Sequence, residues 1–361
     1  MIPPEQYSFI FDHMMLALIL ITLASYTQGG VKGFNRLAGV AVPIFLILYI
    51  GTRPISVVFV DMVTYAQSFE IAANTGNVYY ADWLFNALML GMSQVTTVDV
   101  FFVVCAILYV LPIAAGLARR HGGAAFSAML ATITSFSFFT YGVNGIRNGI
   151  ATSILLAAFA WSDRKFVFIL LAVAATGTHS SVAVPALFYF LTFFNQNIVL
   201  YFCLWLATLF FTFVTSGTGA VFISNLLSSS DDSRVGYLTQ IGEDKGGFRL
   251  DFVLYSIVPV IISYSWAKAH TRQDPFYRRL LCSYLATNSF WLLVMYAAYS
   301  NRFSYLSWFM MPWLIVYPFI PNKGGANHTE SKHWDVNKFT AMLVGQFTLT
   351  YLFDIIIYPN R

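Results

Sequence analysis

Long apolar runs separated by short polar punctuation dominate this chain. They lie near residues 10–27, 38–51, 100–117, 124–141, 146–161, 198–215, 251–267, 280–298, 303–320 and 339–357. About 30 Å of hydrocarbon is crossed by roughly 20 apolar residues as a helix, in a range of about 17–25. Backbone groups in lipid must find their hydrogen bonds within the segment, so each run predicts a membrane helix. The stretch 166–194 reads either as one helix or as two short ones, 166–178 and 182–194, broken at Gly177-Thr178-His179-Ser180-Ser181.

Composition supports the same class. Of 361 residues, 58% are hydrophobic and only 10% are charged, whereas a soluble domain carries about 25% charged residues. A soluble two-domain enzyme, a disordered chain and a collagen-like chain are excluded. The first 28 residues hold no Lys or Arg, so no secretory signal is expected. Cys105, Cys203 and Cys282 each fall in an apolar run, which predicts neither a disulfide framework nor a metal site.

Charge placement decides the threading. Basic residues cluster at 29–37, 118–121, 163–165, 268–279 and 321–338. The positive-inside rule puts all five clusters on one side only if 166–194 crosses twice. The prediction is an all-α polytopic integral membrane protein of about twelve membrane segments, a single transmembrane domain over 1–361 with both termini outside. Two long outer loops, about 52–98 and 216–249, carry Asp61, Glu70, Asp82, Asp99, Asp231, Asp232, Glu243 and Asp244. Loops of that length are more often functional than plain connectors.

The candidate chemistry lies in the few ionisable groups outside the inner clusters. Arg147 opens an apolar helix, where a cation opposes the helix dipole unless an anion binds beside it. Glycines at 142, 145 and 149 suggest room for close approach to the backbone. The plainer alternative is an arginine reaching for lipid headgroups. His179 sits at the expected helix break, where an imidazole is suited to move a hydroxyl proton at neutral pH. A hydrogen-bonded structural histidine is its alternative. Arg302 starts a helix in Asn301-Arg302-Phe303-Ser304-Tyr305. Arg53 precedes Asp61 and Tyr65, and Arg249 stands near Asp251; a structural Arg–Asp pair is the alternative for both. Asp231-Asp232 reads as a solvated turn.

Absent motifs narrow the chemistry further. There is no G-x-x-x-x-G-K-[ST] loop, no H-E-x-x-H, no C-x-x-C and no G-x-S-x-G, so nucleotide hydrolysis, zinc hydrolysis and serine hydrolysis are unsupported. No basic stripe with stacking aromatics suggests nucleic acid. Aromatic outer loops (Tyr65, Phe69, Tyr79, Tyr80, Trp83, Phe85, Tyr237, Phe248) with Asp61, Asp82 and Gln94 suit either an interfacial belt or a glycan. Several arginines, a histidine and carboxylates at one membrane face fit a lipid-linked pyrophosphate. Forked cations would stabilise its charge as it leaves, and His179 or Asp61 would take the acceptor proton.

These motifs resemble the EpsG-type and Wzy-type polysaccharide polymerases. Residues 145–151, Gly-Ile-Arg-Asn-Gly-Ile-Ala, are similar to that family's Arg-Gln-Gly-Ile-Ala stretch, with Asn148 in place of Gln. His179-Ser180-Ser181 with Pro185 resembles its His-x-Ser segment, and Asn301-Arg302-Phe303-Ser304-Tyr305 its late Arg-x-x-Tyr element. Arg53-Pro54 with Asp61 and Tyr65 resembles its first outer loop, although Met62 stands where Thr commonly follows the Asp. Asp82-Trp83-Leu84-Phe85-Asn86 resembles the acidic-aromatic stretch closing that loop. The match spans about residues 50–310.

The resemblance implies a GT-C-like helical bundle in the bacterial inner membrane, multi-pass, with its active site facing the periplasm. It implies polymerisation of undecaprenyl-pyrophosphate-linked repeat units into O-antigen or exopolysaccharide, with no cofactor and no metal. His179, Arg147 and Asp61 are the expected catalytic residues. Arg147, Arg302, Arg249 and Arg53 are expected on the pyrophosphate, and Tyr65, Asp82, Trp83, Asn148, Ser181 and Tyr305 on the glycan. Membrane lipids, a chain-length regulator and a flippase are the implied partners. An O-antigen ligase is the nearest alternative, differing in its acceptor. A lipid-linked oligosaccharide flippase or transporter would spread its charges through the bundle centre. A membrane acyltransferase would explain the histidine but not the arginines.

Overall fold

The computed structural model describes residues 2–29, 31–78, 80–216, 218–219, 221–222, 247–266, 273–297, 300–323, 334–352 and 355. Among them the chain is helical, with no β-strand. The expected loop at 216–249, including Asp231, Asp232, Tyr237, Glu243 and Asp244, lies mostly outside the described residues, as does Tyr79.

The chain forms two compact units: residues 1–183 with 319–361, and residues 184–318. The first contains α1 (Tyr7–Thr27), α2 (Val31–Gly51), α3 (Val60–Thr75), α4 (Trp83–Ser93), α5 (Val98–His121), α6 (Ala125–Ile133), α7 (Phe136–Val143), α8 (Ile146–Ala160), α9 (Lys165–Thr178) and, after residue 319, α16 (Val336–Tyr351). The second contains all but the first residue of α10 (Ala183–Leu191), then α11 (Ile198–Thr215), α12 (Leu250–Ser265), α13 (Pro275–Leu293), α14 (Ser300–Trp308) and α15 (Met311–Val316).

Small residues bring the helices of the first unit close. A Cβ at Gly51 of α2 would stand 2.9 Å from Val103 Cα of α5, and one at Gly116 of α5 would stand 3.3 Å from Ala157 Cα of α8. Backbones approach this closely where side chains are missing, as membrane helices commonly do. α5 ends on Arg119 and Arg120, cations suited to the negative end of the helix dipole, followed by the buried His121, and the chain then turns at Gly122 with φ 54°. That end gathers several basic segments. Arg119 Nη2 donates to Asp163 Oδ2 at 2.5 Å, His121 Nδ1 lies 2.9 Å from the Pro321 carbonyl, and Lys323 N donates to the Arg120 carbonyl at 2.6 Å.

The second unit is held by a buried polar knot. Asn288 on α13 accepts from Trp205 Nε1 of α11 at 2.7 Å and donates to Ser256 Oγ of α12 and Ser307 Oγ of α14 at 3.1 and 2.9 Å. Every link is a satisfied hydrogen bond, so the amide joins four helices without leaving a buried polar group unpaired.

Among the described residues four helical runs are long and apolar enough to cross a membrane: Pro4–Thr27, Gly33–Gly51, Val98–Ile133 and Ile198–Thr215. The chain therefore reads as a membrane protein, and several of the expected segments are not single helices. Expected span 124–141 is two helices, α6 and α7, broken at Thr134-Ser135; 303–320 is divided between α14, α15 and a 3-10 turn. The outer "loop" 52–98 is itself largely helical, built from α3 and α4. The break within 166–194 falls where expected: α9 stops at Thr178, His179 is extended (φ −155°, ψ 115°), and a 3-10 turn at Ser180–Val182 leads into α10.

Candidate active site

Three segments of the first unit converge. α8 begins at Ile146 and carries Arg147 in its first turn; α9 ends one residue before His179; α4 starts directly after Asp82. α4 lies against the last turn of α9 because residue 177 is glycine. A Cβ there would stand 2.6 Å from Cε2 of Trp83, so the indole rests on the bare backbone of α9 while remaining 61% exposed. Seating Trp83 this way brings the preceding residue, Asp82, to the broken end of α9.

Asp82 is the hub of the site. Only 3% of its surface is exposed. Oδ2 accepts from Arg147 Nη1 at 2.7 Å and pairs with His179 Nδ1 at 3.1 Å, while Oδ1 accepts from the Ser180 backbone N–H at 3.0 Å. That N–H is available because the helical ladder is interrupted there. Burial alone would push the Asp82 carboxyl up. The hydrogen bond and charge of His179, the Ser180 N–H and the Arg147 guanidinium outweigh it and hold the group at about 2.

Arg147 is fixed on its other sides by aromatics. Nε donates to Tyr65 Oη at 3.0 Å, and the guanidinium carbon lies 4.3 Å from the centre of the Tyr80 ring, a cation–π arrangement. Tyr65, Tyr80 and Phe85 pack against one another with ring centres 5.5–6.1 Å apart. Burial pushes the Tyr65 hydroxyl well above its ordinary range, so it stays a neutral phenol beside the cation. Asn148 donates to Tyr141 Oη at 3.2 Å, whereas its Oδ1 and Ser181 Oγ are buried without a hydrogen bond.

Several expectations change. The glycines at 142, 145 and 149 do not open the backbone to a ligand. A Cβ at Gly149 would meet the Tyr141 carbonyl at 2.6 Å, and those at 142 and 145 would meet Tyr109 and Tyr141 at 3.1 Å. They are small because α7, α8 and α5 crowd there. Arg53 is buried and makes no ion pair with Asp61: it donates to the Ile50 carbonyl and, at 3.0 Å, to the Val143 carbonyl, with Phe59 and Phe102 about its guanidinium. It clamps the end of α2 to the end of α7. Arg249 and Asp251 do form the structural fork that was the alternative for them, at 2.9 and 2.7 Å. Asp61 lies in the first turn of α3, close enough to Tyr65 to influence it. Arg302 is exposed on α14 and Tyr305 is buried on it; both belong to the second unit, as does Arg249.

Sequence reasoning set Asp82 on the glycan and overlooked Ser180 and Tyr80 as partners of the charged pair. The signal for Ser180 was the helix break itself, which frees backbone donors. Tyr80 carried none beyond its aromatic neighbours.

A model of the EpsG family matches residues 36–356, nearly the whole chain. The chain belongs to the EpsG family. No curated protein and no solved structure matches it. EpsG is a Wzy-type, polymerase-like family, and membership supports a polysaccharide polymerase-like role in the membrane for this EpsG protein. The Asp82–Arg147–His179 cluster falls inside the matched region.

Proposed function

We propose that this EpsG-family chain polymerises undecaprenyl-pyrophosphate-linked oligosaccharide repeat units by glycosyl transfer at the periplasmic face of the bacterial inner membrane. The observation that carries the reading is a single buried carboxylate joining a forked cation to an imidazole. Such a site serves a reaction whose leaving group is an anion and whose nucleophile is a hydroxyl.

Arg147 would meet the donor pyrophosphate. An acceptor sugar hydroxyl attacks the anomeric carbon of the donor. The new C–O bond forms as the bond to the pyrophosphate oxygen breaks, and that oxygen leaves with the electron pair. Preorganised cations stabilise the charge that develops there. His179 takes the hydroxyl proton at Nε2. Trp83, exposed beside this site, offers an apolar face to a sugar ring.

Orientation rests on charge. Arg147 is in the first turn of α8, and the far end of that helix reaches Trp161, over which Arg119 stacks at 5.7 Å. Fifteen helical residues span roughly 20 Å, so the basic end and the candidate site are at opposite ends of one helix. The positive-inside rule assigns the basic end to the cytoplasm and the site to the periplasm.

The test is a turnover assay with purified protein and its host's undecaprenyl-pyrophosphate repeat units, without nucleotide sugars. Wild type is expected to give a ladder of chain lengths, and Arg147→Ala and His179→Ala to give single units while still inserting and folding. A full ladder from Arg147→Ala would overturn the assignment. Transfer to a lipid A-core acceptor without chain growth would mark a ligase instead.

A further inference from the structure

Asp82 faces two demands with one carboxylate. Both the guanidinium of Arg147 and Nδ1 of His179 use the same oxygen, Oδ2, at 2.7 and 3.1 Å, while Oδ1 is occupied by the Ser180 N–H at 3.0 Å. With Nδ1–H directed at a carboxylate, the lone pair of the neutral ring is on Nε2, which makes Nε2 the basic nitrogen. Meanwhile the carboxylate cancels part of the charge that an incoming anion would seek on Arg147. A phosphate at that guanidinium therefore competes with Asp82, and whatever hold Arg147 gives up passes to His179.

We infer that Asp82 is a positioning residue for both reactants: it fixes the His179 imidazole with Nε2 toward the acceptor, and it restrains Arg147 until a lipid pyrophosphate takes up the guanidinium. The inference rests on the polymerase reading. Donor binding thus prepares the base. As the acceptor oxygen bonds to the anomeric carbon and the pyrophosphate departs with its electron pair, the hydroxyl proton moves to Nε2, and the imidazolium formed keeps Asp82 as its counter-ion. An orienting carboxylate of this kind sets the imidazole tautomer and stabilises its cation without itself being protonated.

A residue that merely held the fold would, when changed, weaken binding and turnover together. The present role separates them. In Asp82→Asn, Arg147 loses its competing anion, so undecaprenyl pyrophosphate is expected to bind at least as tightly as to wild type. Turnover of repeat units is expected to fall by about 100-fold or more, because the amide no longer fixes the imidazole tautomer. Parallel loss of undecaprenyl pyrophosphate binding and turnover, in protein that is still folded and inserted at the assay temperature, would overturn the inference; so would unchanged turnover.

Should that variant not fold, wild type decides. In protein labelled with 15N at histidine and compared with His179→Gln to assign the signal, the ring is expected as the Nδ1–H tautomer, with the Nδ1 resonance moving when undecaprenyl pyrophosphate is added. An Nε2–H tautomer, or a resonance indifferent to the lipid, removes the inference and leaves the polymerase reading standing if wild type still builds the ladder. Wild type that neither binds undecaprenyl pyrophosphate nor extends repeat units removes both.

Discussion

A carboxylate as buried as Asp82 stays ionised only because its partners favour the charge, and this ties acid stability to one side chain. Its folded value near 2 lies below the ordinary aspartate value of about 3.9. The interaction therefore stabilises the fold at all pH values above about 4 and is lost as pH falls from there toward 2, a contribution on the order of 2 kcal/mol. In detergent, the thermal midpoint of wild type is expected to exceed that of Asp82→Asn at neutral pH, and the gap to close between about pH 4 and pH 2. A gap that persists unchanged to pH 2 would show that Asp82 is not the group responsible. Arg147 and His179 were legible because ionisable side chains are out of place in apolar sequence. Their joint use of Asp82 was not, because the contacts span 65 and 97 residues and no local periodicity reports a pairing at that separation. The glycines at 142, 145 and 149 misled for a related reason. A missing Cβ signals close approach, but the sequence does not say whether the visitor is a ligand or, as here, Tyr109 and Tyr141.

Among the helices, the seating of α4 on α9 decides whether the site exists. The polar stretch 52–98 conceals two helices, α3 and α4, because they are short and lie in a segment rich in polar and aromatic residues. By contrast the break after α9 was plain from the Gly-Thr-His-Ser-Ser run, since residues with competing local hydrogen bonds interrupt helices. Gly177 is where the two observations meet: the indole of Trp83 occupies the space that a side chain would take. Gly177→Ala is expected to push Trp83, and Asp82 with it, away from His179. A displacement near 1 Å at a catalytic contact lowers turnover by up to about 100-fold, so a 10- to 100-fold drop in ladder formation is expected with little loss of folded protein. Pairing the change with Trp83→Leu restores the space and is expected to recover part of the rate. Wild-type turnover in Gly177→Ala alone would show that the contact yields without moving Asp82.

For the molecule as a whole, composition was enough to place the chain in a membrane, whereas apolar runs did not show where a helix breaks inside a run. A run such as 124–141 is apolar throughout yet breaks at Thr134-Ser135, where hydroxyls bond back to carbonyls of the preceding turn, Thr134 to Leu130 and Ser135 to Thr132, both at 2.7 Å. Hydropathy does not register such a break, because it changes backbone direction without changing polarity. Charge placement is the more durable guide. It grouped 118–121, 163–165 and 321–338 on one side, and in the first unit Arg119, Asp163, Arg120, His121 and Lys323 do meet at one end. Asn77, in the turn after α3, and Arg164, before α9, are both exposed and belong to segments that the threading assigns to opposite faces. In a background without the three native cysteines, Asn77→Cys is expected to react with a membrane-impermeant maleimide in intact cells with a permeable outer envelope, and Arg164→Cys only after the inner membrane is opened. The reverse pattern would turn the Asp82–Arg147–His179 site toward the cytoplasm. A donor presented on the periplasmic side would then be out of reach, and the polymerase reading would have to give way to chemistry on the inner face.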